Sequence, residues 1–198
     1  MKTKATKKLS VRTITMVAML AAVSFVLSFI QMPVPFSPPF ARMDLADLPA
    51  LIGAFAFGPF VGVLIELVKN LLSLFKTATG GVGELANFLI NGSFVAVAGI
   101  VYAKSKTKKM AWIGCILGSV VRGIVAALAN YFILLPMFEI FMPLDEVIAA
   151  FGAFMPFIQT KLDVVLYNAL PLNMLQGLLI SVVTMLIYKP LSGFLKRQ

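Results

Sequence analysis

Histidine is absent from this 198-residue chain, cysteine occurs once, and only eight side chains are acidic. With no imidazole there can be no Ser-His-Asp triad, no Cys-His dyad and no histidine-liganded metal. Cys115 has no second thiol to pair with, so no disulfide framework holds the fold. Charged residues make up 13% of the chain, whereas a soluble domain carries about a quarter. That deficit excludes an ordinary cytosolic enzyme. No Gly-x-x-x-x-Gly-Lys-Ser/Thr run occurs, and Gly80-Gly81-Val82-Gly83 reads as a turn leading into a helix rather than a phosphate cradle. The chain cannot hydrolyse ATP by itself.

What is present is apolar bulk. Hydrophobic residues account for 60%, which excludes disorder and points to a single membrane-embedded unit over residues 1–198. Lysine and arginine concentrate in three places: Lys2, Lys4, Lys7, Lys8 and Arg12; Lys104, Lys106, Lys108 and Lys109; and Lys189, Lys196 and Arg197. Each cluster abuts a long apolar run, the pattern of positive-inside loops facing anionic headgroups, so the net charge of +9 is no sign of nucleic-acid binding. The first apolar run is not read as a cleavable signal, because no small-residue cleavage site follows it and further spans do.

Six transmembrane helices are expected, at about 14–30, 48–57, 59–75, 85–103, 110–135 and 164–188. Leu48–Phe75 is the ambiguous stretch, interrupted by Gly58-Pro59. Counting it once gives five spans and puts Lys104–Lys109 outside. Counting it twice gives six and brings all three basic clusters to one side, with both termini cytoplasmic. The outer loops are then 31–47, 76–84 and 136–163, and they carry seven of the eight acids. The proline-rich segment 31–40 reads as a structured outer loop after helix one, closed by Arg42, Asp44 and Asp47. A short interfacial helix is expected around 144–154.

Amides and charges are costly inside a membrane and face the protein interior or a cavity. Asn87 and Asn91 share a face one turn apart; Asn130 lies near the outer end of the fifth span; Asn173 and Gln176 share a face just after Pro171. Amides gathered from three helices at one depth fit an outward-opening pocket for a neutral, hydrogen-bond-rich ligand, with interhelical hydrogen bonding as the plainer alternative. Phe36, Phe40, Met43, Phe88 and Tyr131 are candidate walls for a flat ring. Glu66 and Lys69 can pair three residues apart, and Arg122, mid-span, needs a carboxylate, with Glu66 or Glu84 as candidates. They form a structural pair or, alternatively, an ion relay. Ala18 with Ala22, and Gly114 with Gly118, are small pairs one turn apart that serve either close packing within the bundle or partner docking.

Several segments together resemble one family. They are Ala18-Met-Leu-Ala-Ala22, Asp44-Leu-Ala-Asp-Leu-Pro-Ala50, Phe57-Gly-Pro59, Glu66-Leu-Val-Lys-Asn70, Gly83-Glu-Leu-Ala-Asn-Phe88, Asn130-Tyr-Phe-Ile-Leu-Leu-Pro136 and Pro171-Leu-Asn-Met-Leu-Gln-Gly177. Their order and spacing resemble the substrate-binding S components of energy-coupling factor (ECF) vitamin transporters, most like the riboflavin-specific members. The resemblance implies an all-α, six-helix membrane protein that is not an enzyme and carries no cofactor. It implies riboflavin or a related flavin as transported ligand, bound at the outer face under the loop after helix one. It also implies docking through Ala18 and Ala22 to a transmembrane coupling subunit driven by two cytoplasmic ATPases, in a bacterial plasma membrane, with toppling of the S component to release the ligand.

Asn130 and Asn173 match family positions associated with flavin contact. Gln176 stands where the family motif Pro-x-Asn-x-x-Lys-Gly has lysine. The candidate ligand-contacting set is Asn130, Asn173, Gln176, Asn87, Met43, Leu45 and Phe40. Two other readings stand beside this one: an S component for another vitamin or for flavin mononucleotide, and an autonomous ion-coupled carrier using Glu66, Lys69 and Arg122.

Overall fold

The computed structural model describes residues 10–34, 37–38 and 42–196, with side chains through residue 188. Most of the first basic cluster, and the side chains of the last, lie outside the described residues. Ser10 opens α1 (Val11–Leu27): its Oγ accepts from the Thr13 amide, and the helix stops at Ser28. The loop that follows carries a two-residue antiparallel ladder, β1 (Met32–Pro33) with β2 (Arg42–Met43), in the register Met32 to Met43. This ladder sets Pro33 opposite Arg42 at the base of the loop.

The ambiguous stretch resolves into two helices, α2 (Leu48–Phe57) and α3 (Pro59–Ser73). Gly58 joins them at φ 108°, ψ 163°, a conformation that is essentially glycine-only. Pro59 then starts α3 at a position where its missing N–H costs nothing. A Cβ on Gly62 would sit 2.6 Å from that of Ala54, so α2 and α3 lie against each other as a hairpin rather than forming one kinked rod. A 3₁₀ turn, Leu74–Lys76, ends the pair.

α4 (Val82–Ala103) and α5 (Lys108–Ala129) are joined by an exposed turn holding Lys104 and Lys106, capped by Thr107. α5 does not end at Ala129. It widens into a π turn, Asn130–Leu134, and continues as α6 (Leu135–Phe138). The same device recurs in the last helix: α8 (Lys161–Asp163) passes through a π turn, Val164–Ala169, into α9 (Leu170–Lys196). Each wide turn stands just before a proline, Pro136 or Pro171, whose ring excludes the carbonyl four residues earlier from ordinary α geometry. The short outer helix is α7 (Leu144–Gly152).

Three helical stretches, 82–103, 108–138 and 161–188, are long and apolar enough to cross a bilayer, while α1 and α2 are apolar but shorter. Their outer faces are lipid-like, with Phe132, Ile100 and Leu128 among the exposed apolar side chains. The inner core joins Val17 and Ala21 of α1 to Leu51, Ile65, Phe94, Cys115 and Ile180. A second cluster, around Leu135, Val147, Phe151 and Val165, packs α7 against the two π turns. Gly114 and Gly118 belong to this packing. A Cβ on Gly114 would meet the Ala98 carbonyl at 2.7 Å, and one on Gly118 the Phe94 carbonyl at 2.9 Å. The small pair on α5 therefore lets α4 approach, and is not a docking face.

Candidate functional site: an amide-lined cavity beside a buried charge cluster

A cavity of about 280 Å³ lies between α4, the two π turns, the start of α9 and the loop after α1. Asn87, Asn130, Asn173, Gln176 and Met43 all line it, drawn together from residues up to 133 positions apart. The widened turns are what deliver them. Asn130 is the first residue of one π turn, and Asn173 follows the other by a single helical turn. Such turns rotate side chains off the regular helical stripe, which is why they recur at binding sites.

The amides are polarised. Asn130 donates its Nδ2 to the Ala126 carbonyl at 2.8 Å, and Asn173 donates its own to the Ala169 carbonyl at 2.8 Å. Each thus anchors one of its two N–H groups on its own helix and keeps the other N–H and the carbonyl oxygen for the cavity. Gln176 is engaged differently, donating Nε2 to the main-chain carbonyl of Asp44 at 3.0 Å. It sits in the cavity wall and ties the loop to α9. Asn168 makes a second tie, from its Nδ2 to Ser37 Oγ at 2.7 Å. Asn168 is an amide inside an apolar span, and the rule that singles out Asn173 applies to it equally.

The expected aromatic walls are placed otherwise. Phe88 lines a separate, lipid-side groove between α3 and α4, and Tyr131 packs on the α7 cluster beneath the Lys161 ammonium. Leu45 packs on the inner core rather than lining the cavity. Phe36 and Phe40 lie outside the described residues. Phe138 and Phe151 supply aromatic surface instead. Helical spacing alone could not find them, because Phe138 follows the π turn and Phe151 arrives on α7.

Beside the cavity lies a buried charge cluster. Asp47, at the head of α2, takes Lys69 Nζ on one carboxylate oxygen and Arg122 Nη1 on the other, both at 2.8 Å. Lys69 also touches Glu66 at 2.7 Å, as its spacing predicts. The partner of Arg122 is therefore Asp47, not Glu66 or Glu84. Glu84 is engaged by the hydroxyls of Thr77 and Thr79 in the next loop. Two acids and two bases cancel, which is how a bundle retains charges it cannot solvate. Arg122 also faces the Phe94 ring at 5.5 Å and lines the cavity. Lys69 reaches back to Asn87 Oδ1 at 3.3 Å, linking the charges to the amides. In the loop outside the helices, burial and then the nearby Asp47 push the Asp44 carboxyl above its ordinary value.

The sequence profile of the family described as ECF transporter, substrate-specific component, matches residues 12–188. The chain belongs to this family. Among curated relatives of this S component is the riboflavin transporter RibU of Staphylococcus aureus (strain TCH60), 36% identical over 182 residues, or 91% of this chain and 90% of that one. The riboflavin transporter FmnP of Bacillus subtilis (strain 168) is 28% identical, with 96% and 97% covered. A solved structure described as the S component of a bacterial ECF transporter is 34% identical, with a TM-score of 0.72 over 93% of this chain and 98% of that one. The family is one of transporter components, not enzymes. The helical architecture fits the ECF S component fold, and apolar helices in a transporter family mark a bacterial membrane protein.

Proposed function

We propose that this S component captures riboflavin at the outer face of the bacterial plasma membrane and delivers it inward with an ECF coupling subunit and two cytoplasmic ATPases. Six spans with both termini cytoplasmic complete the reading, in keeping with the α2–α3 hairpin and the exposed lysines at the α4–α5 turn. The observation that carries it is a cavity whose wall gathers amides with carbonyl oxygens that no protein donor meets. Asn130 and Asn173 each commit one N–H to their own helix, which turns the carbonyl oxygen towards a ligand. A flavin answers with hydrogen-bond donors, the ring imide N–H and the ribityl hydroxyls, and with an apolar ring for Phe138 and Phe151. The relatives named as riboflavin transporters support the same ligand. No charged partner is needed at position 176, because riboflavin is neutral and Gln176 holds the loop through Asp44.

Fluorescence quenching of riboflavin by the detergent-purified chain tests this. Asn130→Ala and Asn173→Ala should each weaken binding by about 1–3 kcal/mol, or roughly 5- to 150-fold in Kd. Purified protein that neither turns yellow with flavin nor quenches it rejects the assignment.

A further inference from the structure

Asn91 stands one turn below Asn87 on α4, lines the same cavity and is 3% exposed. Its Nδ2 donates to Asn87 Oδ1 at 2.8 Å, while its own carbonyl oxygen has no hydrogen-bond partner. The arrangement is not free to invert. Lys69 Nζ also meets Asn87 Oδ1, at 3.3 Å, and an ammonium is a donor only. Asn87 must therefore turn its oxygen towards Lys69, and Asn91 must turn its NH₂ towards that same oxygen. Lys69 is itself fixed by Asp47, which is fixed in turn by Arg122. A buried charge thus sets, through two amides, which atom of Asn91 remains unpaired in the cavity wall.

We infer that Asn91 is a specificity-determining residue whose carbonyl oxygen accepts a hydrogen bond from the ligand, with Asn87 and Lys69 as the positioning residues that fix this polarity. The inference rests on the flavin reading and deepens it. A buried carbonyl left without a donor is costly, and a ligand N–H or O–H removes that cost. In a flavin the donor is either the ring imide N–H or a ribityl hydroxyl. An analogue lacking that donor leaves the oxygen orphaned, which is how polar sites reject near-isosteres.

The test uses the full chain and three probes, titrated by fluorescence quenching: riboflavin, 3-methylriboflavin (no imide N–H) and lumiflavin (no ribityl hydroxyls). Asn91→Ala should weaken riboflavin binding roughly tenfold, and that penalty should fall below about twofold for one analogue. Collapse with 3-methylriboflavin assigns the ring N–H; collapse with lumiflavin assigns the ribityl chain. An equal penalty for all three probes, or none for riboflavin, overturns the inference. Asn91→Leu, closer in volume, repeats the comparison should the alanine variant fold poorly. For the positioning residues, Asn87→Leu should reduce discrimination between riboflavin and the sensitive analogue, and Asn87→Asp, which keeps an acceptor opposite Lys69, should restore it. Discrimination unchanged in Asn87→Leu removes Asn87 and Lys69 from the account. A parent protein that binds none of the three flavins rejects the flavin reading itself, an outcome distinct from a binding parent that ignores Asn91.

Discussion

At the scale of single residues, function turns on which end of each amide is left over. Asn130 and Asn173 are recognisable as polar residues in apolar runs, yet their polarity is not, because it depends on the Ala126 and Ala169 carbonyls that their helices offer. Arg122 shows the same limit. Its position mid-span demands a carboxylate, but the one it finds is 75 residues away, at the head of α2. Only tertiary structure brings Asp47 there. Asp44 carries a pH-dependent consequence of that neighbourhood. Burial, followed by repulsion from Asp47, raises its carboxyl above the ordinary 3.8, so its ionised form opposes folding. A raised carboxyl is harmless below about pH 4, where folded and unfolded chains are both protonated, and its cost grows as pH rises above that value. Asp44→Asn keeps an oxygen for the Ala46 amide while removing the charge. Its melting temperature in detergent should therefore exceed the parent's at neutral pH, and the gap should close as the pH falls towards 4. A gap independent of pH would mean that charge is not the cause.

At the scale of elements, apolar runs and punctuation were readable and the local departures from α geometry were not. Gly58-Pro59 marks the boundary between α2 and α3 from sequence, and the structure has a helix on each side of it. The outer helix expected around 144–154 is observed at Leu144–Gly152. By contrast, neither π turn is visible in hydrophobic periodicity. Pro136 and Pro171 announce a distortion, but not that it takes the form of a wider turn aiming Asn130 and Asn168 at one cavity. The α2–α3 joint gives the sharpest test at this scale. No atom lies within 4 Å of where a Cβ on Gly58 would stand, so Gly58→Ala introduces backbone strain without a clash. The substitution should cost about 1–3 kcal/mol in stability, read as a lower melting temperature. Gly58 is also absent from the cavity wall, so flavin affinity should hold in the protein that remains folded.

At the scale of the whole molecule, the question is where an S component whose sequence has no Gly-x-x-x-x-Gly-Lys-Ser/Thr phosphate loop would meet the rest of an ECF module. The surface must supply the answer, and α1 is where the two small-residue pairs part company. Gly114 and Gly118 are consumed by the approach of α4, whereas Ala18 and Ala22 lie exposed on α1. α1 buries Val17, Ala21 and Ser24 against the bundle and leaves Ala18, Ala22 and Val26 on its outer side. Packing within the bundle therefore does not account for this pair. A shallow alanine face on a lipid-exposed helix lets a second helix come close, and in a bilayer close packing and interhelical hydrogen bonds are main sources of association. Replacing Ala18 or Ala22 with tryptophan would hold such a partner away by the thickness of a ring. The cavity lies on α4, the π turns and the loop, and neither alanine touches it. Uptake of labelled riboflavin by cells expressing Ala18→Trp or Ala22→Trp should thus fall to background, while flavin quenching by the purified variants stays within about twofold of the parent, a difference well under 1 kcal/mol. Equal loss of binding and uptake would make the face internal after all, and full uptake would show that the partner docks on another helix.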